Sequence, residues 1–270
     1  MTKGGLLFCF DTKHTQYFKI LEKCVPLIKK NLKLEITVVT NNETFKKLKP
    51  SGFINYKFIE PELGNKKLGK EWNNVDRHMA YELSPYDTTL VIDIDYFVFT
   101  DNLRQLLDTD YDFLISKDAY DLTQRNTFNQ RRWSMIDMVW ATVFVFKKTK
   151  KAKRIFDTVK YVKKYYKYFL EMYRIYDKSF RNDYAFAIAL EQANGFITYD
   201  TLPIQLSTLP PDCIPIKFTQ NGLCWQFNDQ INYVETDQMV SEKVEELVLT
   251  NEMKPLLYRL EMLRTNQKQG

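Results

Sequence analysis

Histidine is nearly missing from this chain: its 270 residues include two, His14 and His78. That excludes a histidine-rich metal site, so any bound metal must be held largely by oxygen, which favours Mg²⁺ or Mn²⁺. Cysteine is scarce too. Cys9, Cys24, Cys213 and Cys224 show no Cys-x-x-Cys spacing, which argues against a zinc site and a disulfide framework, and Cys9 and Cys24 fall on apolar faces that suit buried thiols. No apolar run approaches the length of a membrane span, so no transmembrane segment is expected, and residues 6–10 are too short and too lightly flanked for a signal peptide. These features predict a cytoplasmic protein. Usage of Lys, Asn, Ile, Tyr and Phe suits an AT-rich bacterial or viral genome, and hence a bacterial or virus-infected host cell. Repeats, low-complexity tracts and Pro/Gly-rich linkers are also missing, which leaves no natural boundary for a second independent domain.

What is present is enough to build one large core. Hydrophobic residues make up 44% and aromatics 15% of the chain, a globular composition. The net charge of +5 is too small to choose among a nucleotide, a nucleic acid and an anionic surface. Positive charge is densest over 147–167, where Ala152, Ile155, Phe156, Val159, Val162, Tyr166 and Phe169 recur at helical spacing; this reads as a solvated amphipathic helix, with a nucleic-acid patch as the alternative.

Hydrophobic periodicity predicts a strand over 6–10, a helix over 15–30 and a strand over 34–40, a βαβ unit with parallel strands and a right-handed crossover. A strand over 55–59 and a helix over 73–83 follow. Beyond the next strand come a short helix over 103–107, a strand over 113–116 and a polar excursion over 118–137. A strand over 139–146, the basic helix, a helix over 179–192 with Tyr184, Ile188 and Glu191 alternating between core and surface, and a strand over 196–199 complete the sheet. Two C-terminal helices, near 241–249 and 254–263, are expected to pack on the same domain, giving a main domain over 1–240 and an elaboration over 241–270.

The most informative stretch is Thr89-Leu90-Val91-Ile92-Asp93-Ile94-Asp95-Tyr96-Phe97. On a strand, carboxylates one residue apart share a side. So close, they repel and are costly to desolvate, and a hard divalent cation bridging them to a phosphate resolves both problems.

The passage Ser84-Pro85-Tyr86-Asp87-Thr88-Thr89-Leu90-Val91-Ile92-Asp93-Ile94-Asp95 resembles that of the metal-dependent GT-A glycosyltransferases, particularly the retaining group that includes glycogenin and galactosyltransferases of lipopolysaccharide assembly. Trp140-Ala141-Thr142-Val143-Phe144-Val145-Phe146 is similar to that family's small-residue turn leading into a buried strand. Asn182-Asp183-Tyr184-Ala185-Phe186 falls where the family has an acidic residue opening a helix near the sugar. The resemblance covers roughly residues 4–240.

It implies an α/β, Rossmann-like, mainly parallel mixed sheet flanked by helices. The implied activity is transfer of a hexose or similar sugar from a nucleotide-sugar donor, a UDP-sugar being favoured, to a hydroxyl acceptor. Asp95 is then the direct ligand of Mn²⁺ or Mg²⁺, and Asp93 contacts the ribose or a metal-bound water. Phe10, Asp11 and Thr12 resemble the base-binding turn, and Ile94 joins them among the nucleotide-contacting positions. Arg77 either reaches the diphosphate or sugar, or is a surface arginine paired with Asp76 or Glu82. Asp183, the candidate catalytic residue, binds sugar hydroxyls or works near the anomeric carbon, or else serves as a first-turn acid of its helix. The chain departs from the family where a late histidine supplies a third metal ligand: 232–243 has none, and Asp237 or Gln238 stands in. Trp225 within the aromatic segment 218–227 is either an acceptor platform or core.

Two alternatives come from other classes. A haloacid-dehalogenase-type phosphatase also uses Asp-x-Asp after a strand, but Tyr96-Phe97 replaces the expected small residue followed by Thr or Val, and the motif does not open the fold. A non-catalytic nucleotide-binding module of the same fold is the other. The acceptor is open among saccharide, protein and DNA.

Overall fold

The computed structural model describes residues 1–239 apart from 13–15, 49–53, 63–64, 68–69, 72–75, 126–133, 177–178, 211–212, 220 and 228–229. The two expected C-terminal helices lie outside the described residues, as does His14. In chain order the elements that matter here are β1 (Lys3–Phe8), α1 (Tyr17–Leu32), β2 (Glu35–Thr40), β3 (Ile54–Phe58), β4 (Thr88–Ile92), β5 (Tyr96–Phe97), β6 (Phe113–Ser116), β7 (Ala119–Asp121) and β8 (Trp140–Lys147). They continue with α2 (Lys150–Lys164), α3 (Tyr166–Met172), α4 (Asn182–Ala193), β9 (Leu206–Thr208), β10 (Ile214–Phe218), β11 (Leu223–Phe227), β12 (Gln230–Val234) and β13 (Gln238–Met239).

The main sheet has six strands in the order β3-β2-β1-β4-β8-β6. The first four run parallel, and β8 is antiparallel to both β4 and β6. The mixed, mainly parallel sheet flanked by helices is therefore present. Apart from the edge strand β3, whose residues are partly or fully exposed, its strands are largely buried on both faces, and the period of two along β1 divides its side chains between two cores. Leu7 and Cys9 pack with α1 through Ile20, Leu21, Cys24 and Ile28. Leu6, Phe8 and Phe10 pack on the other face with residues of α2 and α4, including Phe156 and Phe186. Cys9 and Cys24 are fully buried and neither forms a disulfide.

Two expectations fail. Residues 196–199 form no strand, and Phe196 and Ile197 are exposed; Thr201 makes a single bridge with Ile115 of β6, and the next strand is β9, which joins a second sheet ordered β5-β13-β9-β7. Apolar character without a partner edge does not make a strand. Helix α4 does not alternate between core and surface either: every residue of it from Asn182 to Leu190 is buried, because it packs between β8 and α2.

Close packing requires glycine at position 4. A Cβ on Gly4 would overlap the buried ring of Tyr86, whose hydroxyl shares a 2.9 Å hydrogen bond with Thr37 Oγ1. Gly4→Ala is expected to destabilise the protein by about 1–3 kcal/mol. Gly5→Ala, whose nearest neighbours lie at ordinary contact distance, is the control that should stay near wild type in urea unfolding.

Candidate active site

Strand β4 ends at Ile92, so Asp93 and Asp95 do not share a side through strand geometry as expected. Instead the Asp93 amide donates to the Thr142 carbonyl of β8 at 2.9 Å, and the Asp93 carbonyl accepts the Tyr96 amide at 3.0 Å. The second bond closes a tight turn over 93–96, with Ile94 and Asp95 at its centre, and the first ties the start of that turn to β8. Ile94 is buried in the α1 core, which anchors the turn, while Asp95 is partly exposed. Both carboxylates thus stand at the carboxyl end of a central parallel strand, where open α/β sheets collect ligands.

Arg77 is not a surface arginine paired with Asp76 or Glu82. It is buried, and its guanidinium donates to Asp93 Oδ1 and to the Ala141 carbonyl. Asp76 is bound instead by Lys163 Nζ at 2.7 Å, and Glu82 pairs with Lys160. His78 is also buried.

Ala141 is the pivot of the site. The register of β8 against β6 shifts between Trp140 and Phe144, and such an irregularity releases peptide groups from the ladder. The Ala141 amide donates to Asp183 Oδ1 at 3.0 Å, while Arg181 grips Asp183 Oδ2 through Nε at 3.1 Å and Nη2 at 2.6 Å. Arg181, Asn182 and Asp183 are all buried, so the charge-assisted bonds replace the water these groups lose. Asp93, Arg77, Ala141, Asp183 and Arg181 form one continuous polar chain from the turn to the start of α4. Asp183 is more than a first-turn acid, since its partners lie on β8 and ahead of its helix.

Arg181 was missed from sequence. The available signal was a charged pair, Arg181 and Asp183, directly ahead of the apolar run 184–190. A helix buried all round can carry such charges only if they are paired.

At the end of β1, the Phe10 side chain is buried in the core with Leu6 and Phe8. Asp11 Oδ1 accepts the Phe18 amide at 3.0 Å, serving one of the open amides at the start of α1, and Asp11 Oδ2 pairs with Lys47 Nζ at 2.8 Å. The Asp11 amide donates to Thr44 Oγ1 at 2.9 Å. Thr12 is partly buried beside them in sequence.

Asp237 sits elsewhere. Its Oδ1 accepts the amides of Phe99 and Thr100, each at 2.7 Å, and Oδ2 is buried and finds no hydrogen-bond partner among the described residues. The same holds for both amide atoms of the neighbouring, fully buried Gln238. Among the described residues no three His, Cys, Asp or Glu side chains form a group able to hold a metal, so Asp237 is not brought together with Asp93 and Asp95. Trp225 is buried core, not an exposed platform.

Burial pushes the Asp237 carboxyl up to about 6. A carboxyl raised above its unfolded value stabilises the fold fully below the unfolded pKa, and that contribution is lost as pH climbs through the folded pKa. Between pH 4 and pH 6 it amounts to about 3 kcal/mol. Asp237→Asn is expected to remove this component, so the difference between variant and wild-type stability should change across that window and be flat above it; denaturant titrations at several pH values check this.

No protein-family model and no curated protein matches the chain. Solved structures similar to it include GT-A glycosyltransferases. A complex of galactosyltransferase LgtC with donor and acceptor sugar analogues is 18% identical, covers 69% of this chain and 70% of that one, and has a TM-score of 0.46. Glycosyltransferase GlyE of Streptococcus pneumoniae is 15% identical over 74% of this chain and 45% of that one, with a TM-score of 0.41. Mouse xyloside xylosyltransferase 1 is 8% identical over 78% and 89%, with a TM-score of 0.48. The likeness is one of fold.

Proposed function

We propose that the protein is a glycosyltransferase that moves a hexose or similar sugar from a nucleotide-sugar, a UDP-sugar by preference, to a hydroxyl of a saccharide, protein or DNA acceptor in the cytoplasm. The observation that carries this reading is the Asp93-Ile94-Asp95 turn at the end of a central parallel strand, joined by buried hydrogen bonds to Asp183.

The donor set fits Mn²⁺ or Mg²⁺. Asp93 and Asp95 offer hard oxygens within one turn, and such ions are commonly held by one or two carboxylates with substrate phosphates completing the sphere. Asp95 would be the direct ligand, and Asp93, oriented by Arg77, would contact the ribose or hold a water on the ion. When bound, the ion neutralises charge that builds on the diphosphate as it leaves. Phe10, Asp11 and Thr12 border the base, with Lys47 fixing Asp11. Asp183, fixed from two sides by Arg181 and the Ala141 amide, orients the hydroxyls of the transferred sugar.

The phosphatase alternative needs Asp93 as nucleophile, whereas Arg77 occupies its Oδ1. Incubation with a panel of nucleotide-sugars and Mn²⁺ is the test: release of nucleoside diphosphate supports the transferase reading. Hydrolysis of phosphate esters alone would replace it with the phosphatase, and nucleotide binding without turnover would leave a binding module. Mass spectrometry of candidate acceptors identifies the product.

A further inference from the structure

The basic helix carries a feature its amphipathic pattern does not explain. Ala152, Ile155, Phe156, Val159, Val162, Tyr166 and Phe169 supply its buried face, yet the opposite face is not purely polar. Tyr161, Tyr165, Tyr168 and Met172 are 56%, 43%, 62% and 51% exposed, and Tyr176 beyond them is 74% exposed. Backbone bonds from the Tyr165 amide to the Tyr161 carbonyl and from the Phe169 amide to the Tyr165 carbonyl carry the helical path across the junction of α2 and α3. Tyr165, with φ −113° and ψ 31°, separates the two helices; Tyr161 and Tyr165 lie one turn apart ahead of the junction, and Tyr168 and Met172 share one face of α3 beyond it. The Tyr161 and Tyr165 rings are 4.8 Å apart, and Lys164 Nζ lies 5.3 Å from the Tyr165 ring centre. Contiguous exposed apolar surface of this kind marks an interaction site.

Charge says what the partner is. Of the exposed residues from 150 to 176, seven are Lys or Arg and two, Asp157 and Glu171, are acidic. Along α2, Lys150, Lys153, Arg154, Asp157 and Tyr161 help line a shallow cavity of about 390 Å³; Lys153 is paired there with Asp157 at 2.7 Å, which leaves Lys150 and Arg154 as the cations that exceed the acidic charge. We propose that the outward face of α2 and α3 docks on an anionic lipid bilayer, with the tyrosines at headgroup level and the lysines and arginines on the anionic lipids. Tyrosine rings with an apolar body and polar tip favour that depth, and basic side chains flanking an apolar stripe are the pattern of a helix lying in the membrane surface. A single-stranded nucleic acid would also meet cations and rings, but such strands are gripped in grooves, whereas this is a convex helical face. No described helix is long and apolar enough to cross a membrane, so the contact is with the surface. The inference does not rest on the transferase reading.

Sedimentation with phosphatidylcholine vesicles, with and without phosphatidylglycerol, is the test, with binding of oligothymidine measured alongside. The full chain should pellet with the phosphatidylglycerol vesicles and not with phosphatidylcholine alone. Tyr161→Ser/Tyr165→Ser/Tyr168→Ser should abolish pelleting, and Lys164→Gln/Lys167→Gln should weaken it about thirtyfold. All five side chains are exposed, so circular dichroism and the thermal midpoint should match wild type. Wild-type protein that ignores phosphatidylglycerol vesicles, pellets equally with neutral ones, or binds as well after either set of substitutions overturns the proposal. So does oligothymidine binding that these substitutions remove while vesicles are ignored.

Discussion

Asp95→Ala is expected to lower sugar transfer by at least about a thousandfold, because in the proposed function it removes the oxygen ligand of the cation that neutralises the diphosphate charge. Stability should hardly move. Asp95 occupies a partly exposed turn position, and substitutions of that kind usually stay within about 0.5 kcal/mol. Nucleoside-diphosphate release and a urea midpoint, measured on the same preparation, separate the two effects. Asp95→Asn, which keeps the shape and loses the charge, should share the loss of turnover; turnover at the wild-type rate in either variant would reject Asp95 as a ligand.

Arg77→Ala should behave differently, costing stability as well as turnover. It leaves Asp93 close to buried and without its guanidinium, and breaking a buried ion pair from one side typically costs about 3–5 kcal/mol. It also frees the Ala141 carbonyl, whose amide holds Asp183, so the loss reaches both ends of the polar chain. The double variant Arg77→Ala/Asp93→Ala should recover part of the stability, since no lone buried charge remains, and none of the turnover. A double-mutant cycle by urea unfolding reads the coupling; additive costs would mean that the pair is not a unit.

These two variants separate what the sequence made legible from what it did not. The Asp-x-Asp motif, the opening βαβ unit and the two-faced burial of the central strands follow from local patterning: apolar runs of strand length, a helix of period 3.6 between them, acids at a strand end. The turn over 93–96 was not visible, because the apolar pattern runs on past Ile92, where the strand stops, and the Tyr96 amide bonds back to the Asp93 carbonyl. Arg77 illustrates the harder case. Local spacing offers it Asp76 and Glu82, yet its partners are Asp93 and Ala141, brought near by the β4–β8 pairing.

Asp183 was found through its place at the head of a helix, whereas its clamp by Arg181 and by a peptide freed at an irregular register in β8 depends on tertiary contacts. Asp237 was chosen to replace a missing histidine, and the structure gives it backbone amides of the segment after β5 instead. Residues 196–199 failed because a strand requires a neighbour's edge, which residue patterning alone does not reveal. The exposed tyrosines of α2 and α3 are not legible from periodicity either, because spacing defines the buried face of a helix and says nothing of which apolar residues stay in solvent.

The central claim is that Asp93 and Asp95 tie a divalent cation to the diphosphate of a nucleotide. Titration of UDP into the protein by calorimetry, with Mn²⁺ and then with EDTA, tests it most directly when repeated on Asp95→Ala. UDP binding should require Mn²⁺ in the wild type and be lost in the variant. Equal UDP affinity with and without the cation, or an Asp95→Ala protein that binds UDP and Mn²⁺ as wild type does, would contradict it.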